Sequence, residues 1–194
     1  MNAAAVSLPE LADRLPAALV LAALLLAAMV APCPAQAADE HRLVQSQLGL
    51  PQVLHGIISY TTWPALQAPL QLCVTRQALD GPDIVRQMPA LRGGRQLAVS
   101  LIDADEPLPA ACDIAYLDGW SLNPLRSTLR SVAHRPVLTL GLGADFCSDG
   151  GMFCLSRDNG AIRFEVNLDA VARSGLRVHP QVLRLARPGS KGQS

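Results

Sequence analysis

The chain has 194 residues, of which 16 are basic and 16 acidic, so its formal charge is zero. That balance leaves no electrostatic footprint for nucleic acid and no acidic-tail character. Charged side chains make up only 16% of the chain, below the roughly 25% of an average soluble domain, and part of the deficit is local to the N-terminus.

Residues 15–31 read LPAALVLAALLLAAMVA, an apolar run without charge. Arg14 precedes it, and Ala35-Gln36-Ala37 offers small residues at the two positions a signal peptidase reads. The expectation is a secretory leader over 1–37, cleaved after Ala37. An uncleaved membrane anchor is the competing reading. Cys33 does not signal a lipoprotein, because Pro32 stands where a small residue is needed. Cleavage leaves residues 38–194 as one domain, long enough for one core.

The mature part opens with a helical spacing over about 41–62, carried by Leu43, Leu50, Leu54, Ile57 and Ile58. Pro51 is expected to bend or split this helix, and Trp63-Pro64 to end it. LQLCVT (70–75) reads as a strand. GPDIVRQM (81–88) reads as a short helix with Pro82 in its first turn. QLAVSLI (96–102) and DIAYL (113–117) are further strands. NPLRSTLRSVA (123–133) is a helix with Asn123 as N-cap and Pro124 at the first helical position. PVLTLGL (136–142) is a continuously apolar strand. MFCLSRD and AIRFEVNL flank Asn159-Gly160, a hairpin signal because both residues tolerate positive φ. DAVARS is a helix of one to two turns stopped by Gly175, and PQVLRLA (180–186) a last short helix. Residues 188–194 read as a disordered tail. The fold class predicted is α/β: a single domain with a mixed, mostly parallel sheet covered on both faces, and a C-terminal β-hairpin.

Beyond the leader, four cysteines remain: Cys73, Cys112, Cys147 and Cys154. An even number in an exported chain favours disulfides, with three pairings possible. Cys147 and Cys154 bracket a Gly-rich turn, so pairing them is the most economical choice, which leaves Cys73 with Cys112 on two neighbouring strands. Metal-ligand spacing and C-x-x-C are both absent, so no metal site and no thioredoxin-like redox role is expected.

Catalytic signatures are also missing: no G-x-S-x-G, no phosphate loop and no H-E-x-x-H. Gly141-Leu142-Gly143 faintly echoes a dinucleotide loop but lacks the third Gly; its plain reading is a turn made flexible for the disulfide. The chain is therefore read as a non-enzyme without cofactors. His41, His55 and His134 are scattered, and only His179 has polar company.

The stretch FEVNLDAVARSGLRVHP (164–180) gathers Arg173, Arg177 and His179 near Glu165 and Asn167. Strand alternation sends Ile162, Phe164, Val166 and Leu168 toward a core, and Arg163, Glu165 and Asn167 the other way. The outward face is either plain solvent or a recognition surface. Arg173 and Arg177 could pair with Glu165 and Asp169, but exposed pairs contribute only about 0–1 kcal/mol. A partner protein or an anionic ligand is a stronger reason for the cluster.

FEVNLDAVARSGLRVHPQVLRLA, the Trp63-Pro64 step and the Cys147/Cys154 pair before GMFCL together resemble the YfiR family, over about residues 50–187. The stretch EHRLVQSQLGLPQ ahead of the first helix does not carry the resemblance. The resemblance implies a non-catalytic periplasmic regulator that dimerises and carries disulfides, with its redox state tied to its stability. It implies binding to, and repression of, an inner-membrane diguanylate cyclase resembling YfiN. Release would come from an outer-membrane lipoprotein resembling YfiB, and the output would be cyclic di-GMP and biofilm formation. Glu165, Asn167, Arg173, Arg177 and His179 are the expected partner or ligand surface. The alternative reading is a periplasmic binding protein for a small anionic ligand, serving a sensing or transport system.

Overall fold

A computed structural model describes residues 48–65, 69–88, 91, 94–158 and 160–185. The expected leader, the first part of the expected opening helix, Asn159 and the expected tail lie outside the described residues. The elements, in chain order, are α1 (Leu50–Ser59), β1 (Thr61–Thr62), β2 (Leu70–Thr75), α2 (Gly81–Gln87), β3 (Leu97–Ile102) and β4 (Ile114–Tyr116). There follow α3 (Leu122–Val132), β5 (Leu138–Leu142), α4 (Ala144–Ser148), β6 (Phe153–Asp158), β7 (Ala161–Val166), α5 (Leu168–Ser174) and β8 (Arg177–Val178). A 3-10 turn, Pro180–Arg184, closes the series.

The main sheet has six strands in the order β3-β2-β4-β5-β6-β7. All its pairs are parallel except β6 with β7. The predicted class, a mixed and mostly parallel α/β sheet with a terminal hairpin, is the class observed. The chain runs outward from β2 to β3 and then returns to the other side of β2 with β4. The carboxyl ends of β2 and β4 therefore form the sheet's topological switch point.

Helices cover both faces. Leu54, Ile57 and Ile58 of α1, Ile84 of α2 and Ala170 and Val171 of α5 pack with Leu72, Val74, Leu140, Phe153 and Phe164 on one face. Leu129 and Val132 of α3 and Phe146 of α4 pack with Ala115, Val137 and three cysteines on the other. Strand β2 reads as nearly continuous apolar sequence because both its sides are covered.

Several local expectations are corrected. Pro51 neither bends nor splits a helix: it sits in the first turn of α1, where its missing N–H costs no hydrogen bond. Helix α1 also ends before Trp63, at Ser59, because Thr61 and Thr62 pair with Val178 and Arg177 as a separate two-stranded ladder. The Thr61 hydroxyl donates to the Ile57 carbonyl at 2.8 Å and satisfies one of the last carbonyls of α1. In α3 the N-cap is Ser121 and not Asn123, so Pro124 falls at the third helical position. In the terminal PQVLRLA, Pro180–Arg184 forms a 3-10 turn in place of an α-helix. Leu168 is 73% exposed, because the chain has left the strand and begun α5 there. Gly141 belongs to strand β5 and is no turn. A Cβ at Gly141 or Gly151 would lie inside the Phe146 ring, so both glycines make room for that side chain.

The cysteines pair as expected, Cys73 with Cys112 and Cys147 with Cys154, with Cα separations of 5.8 and 5.6 Å. The hairpin is also as expected: Asp158 faces Ala161, and Gly160 has φ 82°.

Candidate functional site

The C-terminal motif is built from three pieces of backbone. Strand β7 is an edge strand, and Glu165 on it stands opposite Cys154. Directly opposed residues project to the same face, and Cys154 lies in the core under α3 and α4. Glu165 is exposed on that face. Asn167 follows, with both polar atoms of its side chain engaged. Its Oδ1 accepts from the Ala170 N–H at 3.0 Å as the N-cap of α5, and its Nδ2 donates to the Cys147 carbonyl at 2.9 Å. Helix α5 then stops at Gly175, whose φ of 79° reverses the chain.

That reversal carries Arg177 and His179 to the other face. Ala170, Val171, Leu176 and Val182 are all buried in the core under α1 and α2. Val178 turns inward against this core, and Arg177, its neighbour along β8, is exposed. His179 donates its backbone N–H to the Tyr60 carbonyl at 2.9 Å and stacks on the Tyr60 ring, with centroids 6.3 Å apart. The Nδ1 of His179 accepts from the Gln181 N–H at 3.2 Å, which puts the proton of the neutral ring on Nε2. Arg173 is exposed on α5. The structure thus places Arg173, Arg177 and His179 on the segment that packs over α1, while the side chains of Glu165 and Asn167 leave the sheet on the disulfide side. Among the described residues, neither Arg173 nor Arg177 forms an ion pair. Arg163, which the alternation places beside Glu165, pairs with Asp158 at 2.6 Å.

A second polar cluster was not legible in the sequence. It lies at the switch point, where the end of β4 brings Tyr116 and Asp118 beside Asp80, the residue ahead of α2. Arg157 reaches across from β6 and pairs with Asp80. The Tyr116 side chain is fully buried, and its hydroxyl has no hydrogen-bond partner among the described residues. Burial, reinforced by Asp118 and Asp80, pushes that phenol beyond its ordinary range, so it stays neutral. Burial also raises the Asp118 carboxyl, against the opposing pull of the Gly119 and Leu79 N–H groups. Beside this cluster the Trp120 Nε1 donates to Thr75 Oγ1 at 2.8 Å, and Thr75 donates to the Tyr116 carbonyl at 3.0 Å. Open α/β sheets bind ligands at such a crevice. Here the crevice holds the buried Tyr116, Asp118 and the Asp80–Arg157 ion pair.

No group of three or more His, Cys, Asp or Glu that could hold a metal occurs among the described residues. No helix among them is long and apolar enough to cross a membrane. The sequence profile of the YfiR/HmsC-like family matches residues 51–187. The chain belongs to the YfiR/HmsC-like family. This is a family of periplasmic regulators that act without catalysis, and the match runs from the start of α1 through the 3-10 turn, covering both disulfides and the whole C-terminal motif.

Proposed function

We propose that this YfiR/HmsC-like chain is a periplasmic regulator that binds and represses an inner-membrane diguanylate cyclase of the YfiN type. An outer-membrane lipoprotein of the YfiB type sequesters it and lifts the block, so that the chain controls cyclic di-GMP and biofilm formation. It works as a homodimer and is delivered by a leader cleaved after Ala37. The family match over residues 51–187 carries this reading.

The geometry supports docking through the segment over α1. Arg173 and Arg177 are exposed, and among the described residues neither is paired with a carboxylate. Two unpaired guanidiniums are matched to carboxylates of an acidic partner, which they bind in bidentate fashion. Leu183 of the 3-10 turn, 50% exposed, supplies apolar rim on the same segment. Glu165 stands on the other face of the edge strand and offers a second, acidic contact to a partner that wraps the edge. Asn167 contributes by fixing α5.

The test is binding of the purified mature domain to membranes carrying the cyclase, and to the lipoprotein's periplasmic domain. Arg177→Glu is expected to weaken one or both complexes at least tenfold, a change of about 1.4 kcal/mol. Its thermal midpoint should stay within about 2 °C, as for a surface substitution. Normal binding by a folded Arg177→Glu protein rejects this surface. Saturable binding of a small anion in place of any protein partner would favour the sensing or transport alternative.

A further inference from the structure

The two edges of the main sheet are protected unequally. Strand β7 carries Arg163, paired with Asp158, and exposed Glu165. Charges of this kind discourage another chain from pairing with an edge. Strand β3 reads LAVSLI, six residues without a charge, a proline or a glycine. It pairs only with β2, so among the described residues its outer edge is bare.

The hydrogen bonds fix which groups that edge offers. The Gln96 carbonyl accepts from Leu70 N–H at 2.9 Å, and the Ile102 carbonyl accepts from Arg76 N–H at 2.8 Å. Even-numbered residues of β3 therefore face β2. Leu97, Val99 and Leu101 direct both N–H and C=O away from the sheet, since alternate residues of a parallel strand bond to alternate sides. The side chains of Leu97 and Val99 lie against the core under α2. Next to them is a groove of about 740 Å³, lined also by Val85 and Met88. Leu101, on the same side of the strand, is 40% exposed.

We infer that the outer edge of β3 is the dimer surface, and that its occupant is the β3 strand of a second copy, antiparallel about a two-fold axis at Val99. The inference supplies a surface for the homodimer of the proposed function and does not depend on what the dimer regulates. The axis stands perpendicular to the sheet and joins the two six-stranded sheets into one. In this register Leu97 faces the second copy's Leu101, Val99 faces its own counterpart, and Ala98 faces Ser100. The three outward-pointing residues of each strand all meet outward-pointing residues, so each of those pairs closes both backbone bonds. Each exposed Leu101 comes to rest over the other copy's groove. Past the strand ends, position Arg95 falls opposite position Asp103 of the other copy; within each copy Arg95 donates to the Ser59 and Thr61 carbonyls and Asp103 pairs with Arg76, so the register sets no like charges against each other. Centring the axis on Ser100 would set Asp103 against Leu97, a charge against the groove. The strand is thus complementary to itself in one register, as an isologous interface requires.

The test uses the full chain purified from the periplasm. Light scattering and sedimentation should give a dimer for the parent chain. Leu101→Lys should weaken dimerisation at least tenfold while circular dichroism and both disulfides remain as in the parent. A register probe stays informative even if Leu101→Lys fails to fold. Under mild oxidation Val99→Cys should cross-link to itself efficiently, and Ala98→Cys should not. A monomeric parent chain, a dimer indifferent to Leu101→Lys, or equal cross-linking at positions 98 and 99 each overturns the inference. Binding of the Arg177→Glu protein to cyclase membranes reports separately on the regulator reading.

Discussion

The face of the sheet under α1, α2 and α5 buries Leu54, Ile57, Ile58, Phe153 and Phe164 and holds no cysteine. The face under α3 and α4 has a smaller apolar set, including Leu129, Val132 and Phe146, and it holds Cys73, Cys112, Cys154 and the partly buried Cys147. Each fully buried large apolar side chain contributes about 1.5–3 kcal/mol by transfer alone, so the first face is stabilised mainly by burial. The second, with fewer such residues, relies on covalent links. Loss of oxidation should therefore act on the two faces unequally.

The largest expected effect is on the stapled face. Replacing all four cysteines by alanine removes loop constraints of about 4 kcal/mol for Cys73–Cys112 and about 2.5 kcal/mol for Cys147–Cys154 in the chain-entropy model. Together these approach the roughly 5–15 kcal/mol that holds a domain folded. Denaturant titration should show a large loss of stability. Hydrogen exchange should show protection disappearing from α4 and the 143–152 turn before it disappears from α1. Simultaneous loss across both faces would erase the distinction drawn here.

A somewhat smaller loss is expected from the other side. Phe153→Ala, which removes a fully buried ring packed 5.7 Å from Phe164, should cost about 3–5 kcal/mol. The disulfides should remain formed, and the loss should appear as a lower denaturant midpoint. A cost below about 1 kcal/mol would mean that burial does not hold the first face.

The smallest effect has the opposite sign. Tyr116→Phe deletes a buried hydroxyl that has no partner among the described residues, and such an unsatisfied group costs about 1–3 kcal/mol. The variant should be more stable by about 1 kcal/mol, read from the thermal midpoint. A clear destabilisation would show that the hydroxyl has a role in holding the Asp80–Arg157 bridge over the switch point.

Much of the fold could be read from spacing alone. Alternation in AIRFEVNL placed Ile162 and Phe164 inside, Asn159-Gly160 marked the hairpin, and the cysteine positions led to both disulfides. The motif's residues stand out in the sequence, but their division between two faces does not. Nothing in VNLDAVARSGLRVHP states that Asn167 is spent on capping α5, or that Gly175 sends Arg177 to the face opposite Glu165. The end of α1 was misplaced for a related reason: Thr61 and Thr62 were claimed by a partner strand near the other end of the chain.

Sequence by itself determined what depends on neighbours a few residues apart: which runs are strands, which turns reverse them, and which cysteines can meet. Tertiary structure decided what depends on remote pairs. The Asp80–Arg157 bridge joins residues 77 positions apart, and the β1–β8 ladder joins the first helix to the last turn. Local propensity acts along the chain, whereas the order of strands in a sheet is chosen by how whole faces pack. Only that packing set the charged edge at β7 and left the apolar edge at β3.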